Sequence, residues 1–306
     1  FFSFLCVMFR AYYVGITQTK ILTVNSIVML LSNVALNYCL IFGKGGFPAA
    51  GIAGAAIASS VSEAVSLLFF IIYTSMTADK RKYGFRRAFT LRPHLLKGML
   101  SISGWTMVQS FISVSIWFIF FLAIEHLGER PLAVTNIVRN ISALLIMVIS
   151  AFATTAGALI SNQIGAGEQR CLFKTCGMTL KLTYAILIPL LIILCLFPES
   201  VLRAFTDSPS LIAASVNSVY VMASSTLIMA PSFILFNAVS GTGNTRAGFI
   251  MEMISLAVYT AVIYYGIIRL KPDVALCWFS EHVYGVTLIF LAWWYLKSGK
   301  WRGKKV

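Results

Sequence analysis

The chain has 306 residues, of which 59% are hydrophobic and only 11% are charged, and its formal net charge is +14. This balance excludes an ordinary soluble domain, and apolar runs of about 20 residues indicate membrane-spanning helices rather than the short alternating strands of a barrel. The basic residues lie between and after the apolar runs, as in cytoplasmic loops that face anionic lipid. We therefore expect membrane lipid, and not nucleic acid, as the surrounding partner.

Nine hydrophobic segments are predicted to be membrane helices, and the first of them is only partial. Short connections that contain turn residues separate most of them. Phe1 opens inside an apolar run, without an initiator methionine or a signal peptide, so we expect a fragment cut within a membrane segment. The segments are 1–15, 21–42, 51–75, 97–124, 133–160, 178–197, 212–239, 247–268 and 274–296.

The connection 76–97 is longer than the others and strongly basic, with seven Lys or Arg residues against the single Asp79. The positive-inside rule places this loop in the cytoplasm, and alternation of the helices then places the C-terminus there as well. The sequence thus predicts a multi-pass protein with a basic cytoplasmic linker between two halves.

A weak internal repeat supports two halves. The loop GITQTK at 15–20 resembles GTGNTR at 241–246, because both have the pattern Gly-x-x-amide-Thr-basic and both enter a long apolar helix. Chance similarity of two glycine-rich turns is the alternative. The repeat favours two like helical bundles, of which the first is incomplete in this chain. The predicted parts are 1–75, the last three helices of an N-terminal lobe; 76–97, the interlobe linker; and 98–306, a six-helix C-terminal lobe with a basic tail.

Motifs that carry catalytic or cofactor chemistry are missing from the sequence. The six cysteines form no CxxC pair and have no Cys/His ligand spacing, which argues against zinc and a disulfide framework. There is no G-x-S-x-G, H-E-x-x-H or Walker loop. An integral-membrane enzyme would need clustered His or acidic residues at one membrane face. We therefore expect neither an enzyme nor a bound cofactor.

Two polar pairs in the first three segments are candidates for a cation or proton site. Asn33 and Asn37 lie four residues apart and share one helix face, and so do Ser59 and Glu63. Polar groups inside a membrane helix need a partner or a wet cavity, and ionisable groups there are functional by default. The alternatives are hydrogen bonding between helices for the asparagines and pairing with a basic residue for Glu63.

Further polar residues lie in the second half of the chain. Gln109 and Ser113 are candidates for the wall of a substrate cavity, with simple packing as the alternative. Glu252 lies near the inner end of its segment, so we expect it to pair with a basic residue of a loop. Arg139 is expected to reach the membrane surface or to pair with a nearby acid.

Four stretches, in the right order and spacing, resemble the MATE family, the multidrug and toxic compound extrusion transporters. The first three resemble the family's fourth to sixth helices, and the last resembles its S-x-x-(L/I)-G-A-G signature after the eighth helix. The resemblance covers the whole chain. The stretches are 9–20 (FRAYYVGITQTK), 33–43 (NVALNYCLIFG), 51–59 (GIAGAAIAS) and 158–167 (ALISNQIGAG).

The resemblance implies an all-α integral membrane fold of two six-helix lobes, with about nine of twelve helices present. It implies a monomeric antiporter of the bacterial inner membrane that exports amphipathic organic compounds and drugs by alternating access. Its coupling ion would be Na⁺ or H⁺, with no other cofactor.

The resemblance also implies roles for single residues. Asn33 and Asn37 match two polar positions of the family's first-lobe cation or proton site, and Ser59 matches a nearby hydroxyl. Some members carry acids in the seventh and tenth helices. The corresponding places in this chain lie near Ser113 and near Pro231, and they have no acid. This departure favours coupling through the first lobe.

A lipid-linked oligosaccharide flippase of the same superfamily is the alternative function. Such a protein should hold a pyrophosphate with several cationic side chains in its cavity. Arg139 is the only arginine within a predicted span of the second lobe, which disfavours the flippase.

Overall fold

A computed structural model describes residues 2–77, 93–299 and 301, and helices joined by short connections make up this part of the chain. Eight helical stretches in it are long and apolar enough to cross a membrane, and a shorter apolar helix, Phe2–Gly15, precedes them. The predicted all-α membrane fold class is confirmed.

The helices follow the predicted hydrophobic segments to within several residues at each end, except that the last segment is divided into two helices. A 3₁₀ turn, Gln169–Cys171, precedes α6, and a π-helix, Ile263–Arg269, extends α9. The helices are α1 Phe2–Gly15, α2 Lys20–Phe42, α3 Gly51–Thr77, α4 Pro93–Glu125, α5 Glu129–Gly165, α6 Leu172–Leu196, α7 Pro198–Leu202, α8 Pro209–Gly241, α9 Thr245–Val262, α10 Val274–Cys277 and α11 Ser280–Ser298.

The chain divides into two compact units, Phe1–Arg92 and Pro93–Val306. The first unit contains α1 to α3, and the second contains α4 to α11. Residues 78–92, which form most of the predicted linker 76–97, lie outside the described residues. The prediction of a basic cytoplasmic linker therefore stays a prediction.

In the first unit, α3 packs against both α1 and α2. Tyr13 and Phe70 are almost completely buried, and the Tyr13 hydroxyl lies 2.8 Å from Thr74 Oγ1. Gly54 permits the close approach of α2 and α3, because a Cβ atom there would lie only 2.5 Å from the carbonyl oxygen of Leu40. Small residues at such crossings are typical of packed membrane helices.

In the second unit, α5 and α8 form the most extensive helix pair, and α6, α9 and α11 pack around them. Gly157 and Gly241 meet where α5 crosses α8. A Cβ atom added to Gly241 would lie 2.5 Å from the carbonyl oxygen of Gly157. Large apolar side chains such as Phe111, which is 75% exposed, point away from this unit, as expected for a surface in contact with lipid.

The proline inside α8 has a local compensation. Pro231 has no N–H to donate to the carbonyl oxygen of Leu227 one turn earlier. The Tyr184 hydroxyl of α6 donates a 2.8 Å hydrogen bond to that carbonyl oxygen instead. Since backbone groups inside a bilayer must find partners within the protein, this contact allows a proline within a spanning helix.

Candidate functional site

The second unit contains a cavity of about 260 Å³ between α4, α5, α8, α9 and α11. Two carboxylates, two phenols and one hydroxyl line it among apolar and aromatic side chains. Most ligand sites combine an apolar wall with a few placed polar groups in this way. The lining residues are Ser113, Val114, Trp117, Ile146, Met229, Phe233, Glu252, Leu256, Tyr259, Glu281 and Tyr284.

Glu252 is the most deeply buried acid of this cavity, with 4% of its surface exposed. Its Oε1 atom accepts hydrogen bonds from Ser113 Oγ at 2.8 Å and from the Tyr284 hydroxyl at 2.9 Å. Its Oε2 atom is buried and has no hydrogen-bond partner. One side of the carboxylate is thus fixed by α4 and α11, and the other side is unpaired.

The local sequence of α9 explains why Glu252 faces inward. The helix starts at Asn244, whose side chain accepts a hydrogen bond from the backbone N–H of Ala247 at 3.2 Å. From that start, Glu252, Leu256 and Tyr259 fall on one face of the helix, at i, i+4 and i+7. All three line the cavity.

A second carboxylate–phenol pair lies in the same cavity. The Tyr259 hydroxyl donates a 2.8 Å hydrogen bond to Glu281 Oε1. The Tyr259 and Tyr284 rings meet edge to face, with centroids 5.8 Å apart. Because Glu252 and Tyr259 are seven residues apart on one helix, roughly 10 Å of rise separates them. The polar groups therefore extend along the cavity instead of meeting at one point.

No basic side chain lines this cavity within the described residues. Arg139 of α5 lies over the ring of Phe121, 5.3 Å from its centroid, and His282 Nε2 lies 2.9 Å from Ser224 Oγ. In residues 2–77, 93–299 and 301, no three His, Cys, Asp or Glu side chains are arranged to hold a metal ion. The cavity is thus acidic, and carboxylate and hydroxyl oxygens are its polar groups.

The expectation for Glu252 is wrong. Its carboxylate bonds to hydroxyl groups of α4 and α11, not to a basic residue of a loop, because the helix face that carries it is directed into the bundle. The residues that line the cavity include Ser113 but not Gln109. The backbone oxygen of Gln109 accepts a 3.0 Å hydrogen bond from Ser113 Oγ. For Glu252, the signal available in the sequence was an acid inside an apolar span.

In the first unit, the structure brings Asn33 and Asn37 together on α2. Asn37 Nδ2 donates a 2.9 Å hydrogen bond to Asn33 Oδ1, and Asn37 Oδ1 is buried without a partner. Glu63 on α3 accepts a 2.5 Å hydrogen bond from Ser3 Oγ on α1, and Ser59 is exposed. No hydrogen bond of the described residues joins the asparagine pair to Glu63.

A third amide of α2 was not among the predicted polar residues. Asn25 is completely buried and exchanges hydrogen bonds of 2.8 and 3.2 Å with Ser66 Oγ on α3. Its presence inside the same apolar run as Asn33 was the available signal. Because both of its polar atoms are paired within the unit, Asn25 joins α2 to α3.

The structure resembles solved MATE transporters. A mutant of the Vibrio cholerae MATE transporter VcmN matches with a TM-score of 0.81 and 12% identity over 96% of this chain and 65% of that chain. The MATE transporter ClbM in complex with Rb⁺ matches with a TM-score of 0.79 and 18% identity over 97% of this chain and 66% of that chain. At such low identity the likeness shows the fold alone.

Curated relatives are similar over most of this chain but only part of their own length. The Bacillus subtilis protein described as the uncharacterized transporter YisQ is 25% identical over 268 residues, which are 84% of this chain and 56% of that protein. The Thermotoga maritima protein described as a probable multidrug resistance protein NorM is 25% identical over 291 residues, which are 90% of this chain and 59% of that protein. The chain thus spans little more than half the length of these relatives.

The MatE family model matches residues 106–265, which are more than half of the chain and carry most of the cavity wall. The matched part runs from α4 into the π-helix after α9 and contains Ser113, Glu252 and Tyr259. With its spanning helices, the protein is an integral multi-pass membrane protein, and the chain belongs to the MatE family of membrane transporters.

Proposed function

We propose that the protein is a cation-coupled antiporter that exports amphipathic organic compounds by alternating access. Membership of the MatE family is the observation that carries this proposal. Relatives that are about a quarter identical are named multidrug resistance proteins, which supports drug-like organic compounds as substrates. A bacterial inner membrane location with the C-terminus in the cytoplasm is part of the proposal and rests on the distribution of basic residues.

For the coupling ion we propose a site among polar residues of the first unit. Asn33 and Asn37 form a pair with a free, buried amide oxygen, and hard cations prefer oxygen ligands. Ser59 and Glu63 lie four residues apart on α3 and complete the proposed set. We assign these four residues to Na⁺ or proton coupling.

The chemistry of the second-unit cavity disfavours the flippase. A pyrophosphate carries several negative charges and is held by Arg and Lys side chains. Among the described lining residues the charged groups are Glu252 and Glu281, which would repel it. An acidic, aromatic-walled cavity suits cationic amphipathic compounds better.

The test is export by the protein expressed from its complete gene in inverted membrane vesicles. A fluorescent organic cation is added outside the vesicles. We expect the vesicles to take it up when a Na⁺ or proton gradient is imposed, and not when ATP alone is added. Collapsing each gradient separately identifies the coupling ion. Uptake that is independent of both gradients would contradict the antiport proposal.

A further inference from the structure

We propose that a groove between α9 and α11 binds an acyl chain of an anionic phospholipid, whose headgroup lies at Arg246 and Lys297. The groove has a volume of about 260 Å³ and shares no lining residue with the acidic cavity. Its wall is apolar apart from the side chains of Tyr295 and Ser298. The inference goes beyond the proposed antiport and does not depend on it.

The start of α9 and the end of α11 meet at one end of this groove. There the side chain of Asn244, the residue that caps α9, donates a hydrogen bond from Nδ2 to the Tyr295 hydroxyl of α11. On α9 the groove extends from Ala247 to Ile254, which is roughly 10 Å of helix. The groove is therefore long enough to hold part of an acyl chain that enters at the polar end.

Large apolar side chains of the groove wall are exposed. Trp294 is 62% exposed, and Ile250 and Ile254 are 47% and 44% exposed. A groove that nothing fills loses the dispersion contacts of the side chains that line it. An acyl chain supplies those contacts without bringing a polar group into the apolar part of the groove.

Aromatic residues mark the membrane level of the polar end. Trp293, Trp294 and Tyr295 follow one another near the end of α11, shortly before Lys297. Trp and Tyr side chains are enriched at the level of the lipid headgroups. The polar end of the groove therefore lies where the phosphate group of a phospholipid would be.

Two exposed basic side chains lie at this end, and each immediately precedes a residue that lines the groove. The guanidinium carbon of Arg246 lies 5.9 Å from the ring centroid of Trp105 on α4. The Nζ atom of Lys297 lies 4.6 Å from the ring centroid of Trp293. Both positive charges are thus supported by aromatic rings at the membrane surface.

The sequence around the polar end is basic. Residues 241–250 and 291–299 contain no acid, and residues 297–306 contain five Lys or Arg residues and no acid. Basic groups beside a space between membrane helices are the pattern that binds anionic headgroups. A zwitterionic headgroup has no net charge to be attracted, so the charges favour an anionic lipid.

The test is native mass spectrometry of the protein expressed from its complete gene and stripped of lipid in detergent. It is titrated with dioleoyl phosphatidylglycerol and with dioleoyl phosphatidylcholine, which has the same chains and no net charge. We expect the first phosphatidylglycerol to bind about tenfold more tightly than phosphatidylcholine. Added salt should reduce this preference. Equal affinities for the two lipids at low salt would overturn the inference.

A charge variant tests the headgroup contact. In Arg246→Gln with Lys297→Gln, the affinity for phosphatidylglycerol should fall about tenfold, and the affinity for phosphatidylcholine should stay unchanged. The matched control is Arg170→Gln with Lys174→Gln, which removes the same two charges from exposed positions in the 3₁₀ turn and in α6. An equal loss in the two double variants would show that net charge alone attracts the lipid, and the inference would be wrong.

A second pair of variants tests the groove and keeps the test decisive if the charge variant does not fold. Trp294→Ala should weaken phosphatidylglycerol binding about fivefold, because part of the apolar wall is lost. Phe290→Ala is the control, since Phe290 is also 62% exposed on α11 but lies outside the groove. Equal affinities in these two variants would contradict the groove. A second copy of this chain is the other possible occupant, and dimers that disappear in Trp294→Ala but not in Phe290→Ala would overturn the lipid assignment.

Discussion

Ser113 of α4 and Glu252 of α9 are joined by a 2.8 Å hydrogen bond, although 139 residues separate them in the chain. The same Ser113 hydroxyl also lies 3.0 Å from the backbone oxygen of Gln109 in its own helix. The hydroxyl can therefore donate to the carboxylate or turn back to α4.

Replacing Ser113 by Ala should impair export of organic cations without unfolding the protein, because Ser113 holds Glu252 in the acidic cavity proposed for these compounds. A hydrogen bond to a charged group contributes about 1.5–3 kcal/mol, so we expect coupled export to fall roughly tenfold or more. The measurement is initial-rate uptake into inverted vesicles at a limiting concentration of the organic cation. Ser115→Ala is the control, because among the described residues the Ser115 hydroxyl bonds to the Phe111 carbonyl oxygen of its own helix and not to the cavity. Equal rates in the two variants would argue against a role for the Ser113 bond.

The Tyr259–Glu281 pair should stabilise the second unit. In Tyr259→Phe, Glu281 loses the hydroxyl that donates to its Oε1, and we expect the free energy of unfolding to fall by about 1–3 kcal/mol. In the double variant Tyr259→Phe with Glu281→Met both polar groups are gone, so it should be more stable than Tyr259→Phe alone. Thermal unfolding in detergent micelles measures all four members of this double-mutant cycle. Additive effects would mean that the two side chains do not interact.

The sequence alone could predict the spanning helices, because continuous apolar runs of about 20 residues leave few other structures open to the backbone in lipid. It could not predict the break between α10 and α11, which interrupts an apolar run at Trp278 and Phe279 without a proline or glycine. The polar face of Asn33 and Asn37 was readable from their spacing of four residues, and their hydrogen bond follows from it.

The second-unit cavity could not be found from spacing within one segment. The sequence has no acid near Ser113 or Pro231, and the acids that reach the cavity lie on α9 and α11 instead. Which helices face one another is decided by packing of the whole bundle. The expectation that Glu252 pairs with a loop base was wrong for this reason, because its position along α9 says nothing about which helix it faces.

Close packing of α5 against α8 should not tolerate a methyl group at Gly241. A Cβ atom there would lie 2.5 Å from the backbone oxygen of Gly157, so the helices must separate, and overpacking of this kind costs about 1–3 kcal/mol. We expect Gly241→Ala to lower the midpoint of thermal unfolding. Gly177→Ala in α6 is the matched control, because no atom lies within 4 Å of a Cβ atom at that glycine. A midpoint that falls equally in both variants would contradict the assigned contact.

Alanine substitutions at Asn25 and at Asn37 of α2 should have different effects on the stability of the protein. Asn25 is fully buried and bonded to Ser66 in α3, so Asn25→Ala should lower the free energy of unfolding by about 1–3 kcal/mol. Asn37 is only half-buried and bonds within its own helix, so Asn37→Ala should leave expression and unfolding close to those of the unsubstituted protein.

Export should be affected in the opposite order, with the larger loss in Asn37→Ala and the smaller loss in Asn25→Ala. If Asn37 takes part in binding the coupling ion, Asn37→Ala abolishes gradient-driven export, whereas the Asn25→Ala protein that folds retains it in proportion to its amount in the membrane. Vesicle uptake normalised to folded protein measures both. Normal export by Asn37→Ala would reduce the Asn33–Asn37 pair to a structural hydrogen bond and would leave the carboxylates of the second unit to carry the coupling.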